Sequence, residues 1–175
     1  MKKSIYRIAI IGAESTGKSE LVKQLAHHFN TNYIAEYSRN YVSQLNNKYT
    51  VDDVMIIAKN QFEIEIKNIK NSNKYIFCDT EFIISKVWLK DVYEAEWDFL
   101  TDKINSYPYD YYLLTQNDIP WKADAVRENG HRRNFFYKWY KQELINNNLP
   151  FAEISGLEEN RLKNAISEIN LFFKF

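Results

Sequence analysis

Ile8-Ala9-Ile10-Ile11-Gly12-Ala13-Glu14-Ser15-Thr16-Gly17-Lys18-Ser19 is the stretch on which the fold turns. An apolar run meets a glycine, and four residues separate that glycine from Gly17-Lys18-Ser19. Helical periodicity follows, with Leu21, Val22, Leu25, Ala26 and Phe29 on one face, so the order is buried strand, tight loop, amphipathic helix. The glycines let successive backbone N–H groups point inward at the α- and β-phosphates of a nucleotide. Lys18 is then placed to reach the β- and γ-phosphates and the Ser19 hydroxyl to ligate Mg²⁺, while the helix N-terminus adds partial positive charge. Gly12, Ala13, Glu14, Ser15, Thr16, Gly17, Lys18 and Ser19 are the expected phosphate-binding residues.

Working outward, apolar runs bounded by turn residues alternate with helical patterns to the end of the chain. That alternation predicts strand-helix units wound into a parallel sheet. Strands are expected at Tyr6 to Ile11, Tyr33 to Glu36, Tyr75 to Cys78, Tyr111 to Thr115 and Phe151 to Ile154. Thr50 and Asp53 form a capping pair for a helix running to about Lys70. A broken helical stretch covers Phe82 to Asn105, and further helices cover His131 to Asn146 and Leu157 to Phe173. Pro108, Pro120 and Pro150 fall outside all of these, as a residue without an N–H should. The expected architecture is a three-layer α/β fold, a five-stranded parallel sheet flanked by helices, in one domain spanning 1–175.

Composition narrows the function classes. Lys plus Arg and Asp plus Glu both number 23, so the whole-molecule positive field used by nucleic-acid binders is absent. A single cysteine, Cys78, permits no internal disulfide, and no paired Cys/His spacing suggests zinc. No leader-like or membrane-spanning run is read, and the expected compartment is the cytoplasm. The expected partner is a small molecule, with no nucleic acid and no membrane; the sequence sets no oligomeric state.

In open parallel sheets ligands sit outside the carboxyl ends of the strands, so the residues just after each strand carry the chemistry. Cys78-Asp79-Thr80-Glu81 places Asp79 where an acid can orient Mg²⁺ or its waters. Ala35-Glu36-Tyr37-Ser38-Arg39 places Glu36 across from the γ-phosphate, able to take the proton of an acceptor hydroxyl, with Arg39 available to bind substrate or the transferring phosphate. The polar segment 117–133 holds three arginines, Arg127, Arg132 and Arg133, and both Pro120 and Gly130, which could act as hinges. It reads as a lid, with Arg127 and Arg132 ranked ahead of Arg133 for contact with the phosphates.

Together, Gly-Ala-Glu-Ser-Thr-Gly-Lys-Ser, Ala-Glu-Tyr-Ser-Arg-Asn-Tyr-Val (35–42), Phe-Cys-Asp-Thr-Glu-Phe (77–82) and the 121–129 segment resemble the ribosylnicotinamide kinase domain of NadR-like proteins, a P-loop nucleoside kinase family. The resemblance covers essentially the whole chain and implies ATP, Mg²⁺ and phosphoryl transfer to the 5′-hydroxyl of nicotinamide riboside, an NAD-biosynthetic step. On matching positions it assigns Gly12, Gly17, Lys18 and Ser19 to the loop, Glu36, Arg39 and Asp79 to the acceptor blocks and Arg127 to the lid, with Lys18, Glu36, Asp79 and Arg127 catalytic. Family members credited with this acceptor tend to carry an aromatic residue before the glutamate, where this chain has Ala35. Stacking on a pyridinium would then fall to another ring, such as Trp88 or Tyr93.

Two other readings share these residues. One is a kinase for another hydroxylated metabolite. The other is a nucleotide-dependent switch, since Thr115-Gln116-Asn117-Asp118 has a superficial likeness to a guanine-reading motif, although its lysine is absent and no glycine follows Asp79 in the way switches use.

Overall fold

The computed structural model describes residues 5–123 and 129–174. Five parallel strands, β1 (Tyr6–Ile11), β2 (Tyr33–Ile34), β3 (Tyr75–Asp79), β4 (Tyr111–Thr115) and β5 (Phe151–Ile154), lie in the order β2-β3-β1-β4-β5. β1 is central, in register with β3 from Tyr6↔Tyr75 to Ile10↔Asp79 and with β4 from Ile8↔Tyr111 to Ile11↔Leu114. Its apolar run is fully buried because both faces of a parallel sheet are covered by crossover helices.

Alternation along β1 divides the core. Ile8 and Ile10 pack with Leu21, Val22 and Leu25 of α1 (Lys18–His28) and Ala165 and Ile169 of α7 (Glu158–Phe173). Ala9 and Ile11 face the other layer, formed by α3 (Val51–Asn68), α4 (Phe82–Tyr93), α5 (Asp98–Ser106) and α6 (Arg133–Asn146). Full burial of each such aliphatic side chain contributes roughly 1.5–3 kcal/mol, so the apolar pattern is the main source of stability. Thr50 and Asp53 close a reciprocal capping box at the start of α3. Among the described residues no helix is long and apolar enough to cross a membrane.

Two expectations change. The strand expected over Tyr33 to Glu36 stops at Ile34, and Glu36 becomes the N-cap of a short helix, α2 (Tyr37–Ser43), that periodicity did not suggest. The Gln61 side chain on α3 explains the switch. It accepts from Tyr37 N–H at 2.8 Å and donates to Ala35 O at 3.4 Å and Asp79 O at 3.3 Å, so one amide satisfies backbone groups that a ladder would otherwise use. The broken stretch from Phe82 resolves into α4 and α5, the former ending at Glu94 in the left-handed conformation with φ 54°.

At the amino end of β1, Arg7 and Glu65 form an ion pair that is 2% and 1% exposed. The guanidinium donates to Tyr107 O at 3.1 Å and Pro108 O at 3.0 Å and lies between the Tyr107 and Tyr109 rings. Tyr109 Oη donates to the second Glu65 oxygen. Removing one partner strands a buried charge. Glu65→Ala should therefore cost about 3–5 kcal/mol in urea denaturation, and a loss below about 1 kcal/mol, the range of exposed pairs, would contradict this account of the pair.

Candidate active site

The phosphate loop is shaped by three residues at positive φ: Gly12 (φ 152°), Ser15 (φ 56°) and Gly17 (φ 76°). A Cβ on Gly12 would lie 2.2 Å from Thr115 Oγ1 and 3.0 Å from Thr115 O, so only glycine lets the loop press against the end of β4. Thr16 Oγ1 donates to Ala13 O at 2.8 Å and sits 2.7 Å from Thr115 Oγ1. Two arginines then tie the loop's outward carbonyls. Arg161 donates to Thr16 O at 2.9 Å and Gly156 O at 2.8 Å and pairs with Asp118, which also accepts from Gly156 N–H at 2.6 Å. Arg133 donates to Ser15 O at 3.2 Å and Ile119 O at 2.8 Å.

Lys18 curls over the loop mouth, its Nζ donating to Gly12 O at 3.0 Å and Ala13 O at 2.9 Å. An ammonium held by these carbonyls is poised to exchange them for phosphate oxygens, which are stronger acceptors. Facing it, Asp79 at the end of β3 is 1% exposed. The Ser19 hydroxyl favours its charged form. Its Oδ1 has no hydrogen-bond partner among the described residues. Burial, reinforced by the Glu36 charge, pushes the Asp79 carboxyl up to about 6 against the opposing pull of Lys18, Ser19 and Arg39. The next residue, Thr80, adopts φ 76°, a strained state for a β-branched side chain that costs on the order of 1–3 kcal/mol. That kink leaves Asp79 at the cleft while Glu81 turns under α4. There Glu81 accepts from Ile83 N–H and Ile84 N–H, and burial lifts its carboxyl to about 8.

Glu36 and Arg39 approach from α2, with Ser38 Oγ donating to Glu36 Oε1 at 2.7 Å. One cleft of about 830 Å³ joins Lys18, Ser19, Glu36, Arg39 and Asp79, and extends past Ala35 to an aromatic end formed by Tyr49 and Trp88. Those two rings meet edge to face with centroids 4.8 Å apart. An orphaned carboxylate oxygen beside a hydroxyl, with a second carboxylate near, fits a divalent ion such as Mg²⁺, which takes one or two protein oxygens and completes its shell with phosphate and water.

The remaining expected site residues are placed differently. Tyr93 does not line the cleft; its hydroxyl donates to Tyr49 O at 2.5 Å and supports that ring from behind. Arg132 is bound to Asp91 on α4, whereas Arg133, ranked below it, touches the phosphate loop at Ser15 O. Arg127 and the middle of the expected lid lie outside the described residues. Sequence reading missed Tyr49, Asp91 and Arg161. Asp91 follows Trp88 by one helical turn, a spacing that would have nominated it once α4 was recognised as a cleft wall.

A central β1, a glycine-rich loop at its carboxyl end and acids on the neighbouring strand define a P-loop nucleotide-binding protein. The chain belongs to the AAA domain family, whose model matches residues 7–161. It is 33% identical over 158 residues to the trifunctional NAD biosynthesis/regulator protein NadR of Salmonella typhimurium, a match covering 86% of this chain but 38% of that relative. The Escherichia coli NadR protein matches to the same extent. The fold is also that of a NadR protein solved in complex with NAD and AMP-PNP (TM-score 0.79, 19% identity, 97% of this chain and 50% of that one). A NadR protein solved in complex with NR superposes equally well (TM-score 0.80, 20% identity, 95% and 50%). The chain thus spans about half or less of the NadR relatives it matches.

Two outcomes follow. Arg161→Met leaves the carbonyls of Thr16 and Gly156 without their donor. It should cost about 2–3 kcal/mol in denaturant unfolding and weaken ATP binding by calorimetry, whereas unchanged ATP affinity would make Arg161 irrelevant to the loop. For Asp79, a folded pKa of about 6 against 3.8 when unfolded means the stabilisation is fully present below 3.8 and lost as pH rises through about 6. Asp79→Asn, neutral throughout, should gain melting temperature over the parent between about pH 4 and about pH 7 without nucleotide; a gap that stays constant would refute the burial effect.

Proposed function

We propose that the chain is an ATP-dependent kinase that phosphorylates the 5′-hydroxyl of nicotinamide riboside. The observation that carries this reading is one continuous cleft lined by the phosphate loop, by Glu36 and Asp79 and by the aromatic rings of Tyr49 and Trp88. A switch that only hydrolyses nucleotide has no use for those rings. A kinase needs them for the acceptor. The similarity to NadR proteins, and the solved NadR complex with NR, supports this acceptor over other nucleosides.

In this reading the loop amides and Lys18 bind the triphosphate, Lys18 exchanging its contacts with Gly12 O and Ala13 O for the β- and γ-phosphates. Ser19 and Asp79 would hold Mg²⁺, which would supply positive charge against the phosphates. Glu36 accepts the acceptor hydroxyl's proton as its oxygen forms the bond to γ-phosphorus and the bond from γ-phosphorus to the β–γ bridging oxygen breaks, leaving ADP. Arg39 and the lid arginines Arg127 and Arg132 take up charge on the transferring group. Tyr49 and Trp88 wall the space for the ring, filling the role that Ala35 cannot. The cytoplasm suits the reading, since the substrate ATP is there and Cys78 is a buried free thiol.

Three measurements test the proposal. Nicotinamide riboside should strongly stimulate ATP consumption; idle turnover would favour the switch, and stimulation only by other nucleosides would reassign the acceptor. Lys18→Ala should lower kcat about a hundredfold to a thousandfold, the effect of removing one preorganised donor to a transition state. Glu36→Gln should depress kcat far more than ATP affinity, and retained turnover would move the base elsewhere.

A further inference from the structure

We propose that Asp91 is the counter-ion that selects an acceptor with a cationic ring, and that Arg132 holds that place while the acceptor site is empty. This rests on the kinase reading above and names what its far end recognises.

α4 faces the cleft with Ile84, Ser85, Trp88, Asp91 and Val92, the spacing of one helical face. From Ile84 to Asp91 the helix rises on the order of 10 Å, commensurate with a ribose carrying a six-membered ring. The helix starts just after Asp79, so an acceptor with its hydroxymethyl group at Asp79 and Glu36 lays its ring beside Trp88 and Asp91. At that end sits a carboxylate whose side chain is only 11% exposed. Burying an uncompensated charge there is costly.

The compensation is specific in shape. Arg132 Nη1 donates to Asp91 Oδ2 at 2.8 Å and Nη2 to Asp91 Oδ1, a two-pronged pair. The same guanidinium lies over the rings of Phe135 and Phe136, with its Cζ 4.9 Å and 4.7 Å from their centroids, and Phe136 lines the cleft. A flat, delocalised cation resting on aromatic faces and paired to a carboxylate has the recognition chemistry of a pyridinium ring. An arriving cationic ring replaces Arg132 at Asp91 and frees it for the phosphate side. A neutral ring of the same outline either leaves Asp91 buried without a counter-ion or leaves Arg132 in its way. Specificity then comes from the penalty on the wrong ligand as much as from the gain on the right one.

The test compares nicotinamide riboside with its dihydro form, which keeps the ribose and carboxamide but has a neutral ring. The parent should favour the cation. Asp91→Asn should lower kcat/KM for the cation at least about tenfold, the equivalent of one pKa unit of charge interaction, and raise it for the neutral acceptor, whose penalty goes with the charge. Asp91→Glu, which keeps the charge, should retain most of the preference, and melting temperatures confirm that each variant folds. Equal losses on both acceptors, or an unchanged ratio in Asp91→Asn, overturn the counter-ion role and leave the kinase reading intact. Failure of the parent to phosphorylate either riboside overturns both.

Discussion

The close approach of the phosphate loop to β4 is the constraint on which the site depends. With no room for a Cβ at Gly12, the loop is pressed onto Thr115, and the two threonine hydroxyls and two arginines then fix its outward-facing groups. The same loop lines the cleft that a ligand would enter. Preorganisation of this kind matters because donors already in place need no reordering when charge develops on a transferring group. The anchoring residues come from β4, α6 and α7, so the helices that cover the sheet also shape the nucleotide end of the cleft.

Next to that loop the same sheet sets up an electrostatic imbalance. Asp79 and Glu36 are brought close enough for one to raise the other's proton affinity, in a region shielded from water. Such an arrangement is unfavourable while empty and is relieved by cations on one side and by a hydroxyl proton on the other. Strain at Thr80 and the buried cap Glu81 hold that geometry, consistent with the tendency of functional sites to store local cost supported by the surrounding fold. The well-packed apolar layers and the buried pair of Arg7 and Glu65 lie elsewhere and supply the stability that this tolerates.

Much of this was legible in the residues. The loop, the acid after β3, the capping box at Thr50 and the alternation of strands and helices are local patterns, each written in a few adjacent positions. What escaped reading depends on distance or on unusual partners. α2 is a seven-residue helix with only Ser38 buried, so no apolar stripe announces it, and its start is imposed by Gln61 from another helix. Arg161 reaches Thr16 across 145 positions. Tyr93 was read as a cleft aromatic because its residue type fits, but the neighbouring Tyr49, in the turn before α3, occupies the wall that Tyr93 supports. Polar contacts between distant segments leave little trace in local periodicity, whereas strands and caps do.

In the proposed function, one cleft brings ATP and an acceptor together so that the γ-phosphoryl group passes to the acceptor rather than to water. Following the γ-phosphoryl label of ATP through a reaction with nicotinamide riboside tests this most directly. The account predicts that the label appears in a riboside phosphomonoester, one for one with the ADP formed. ADP accumulating with the label recovered only as inorganic phosphate would contradict it.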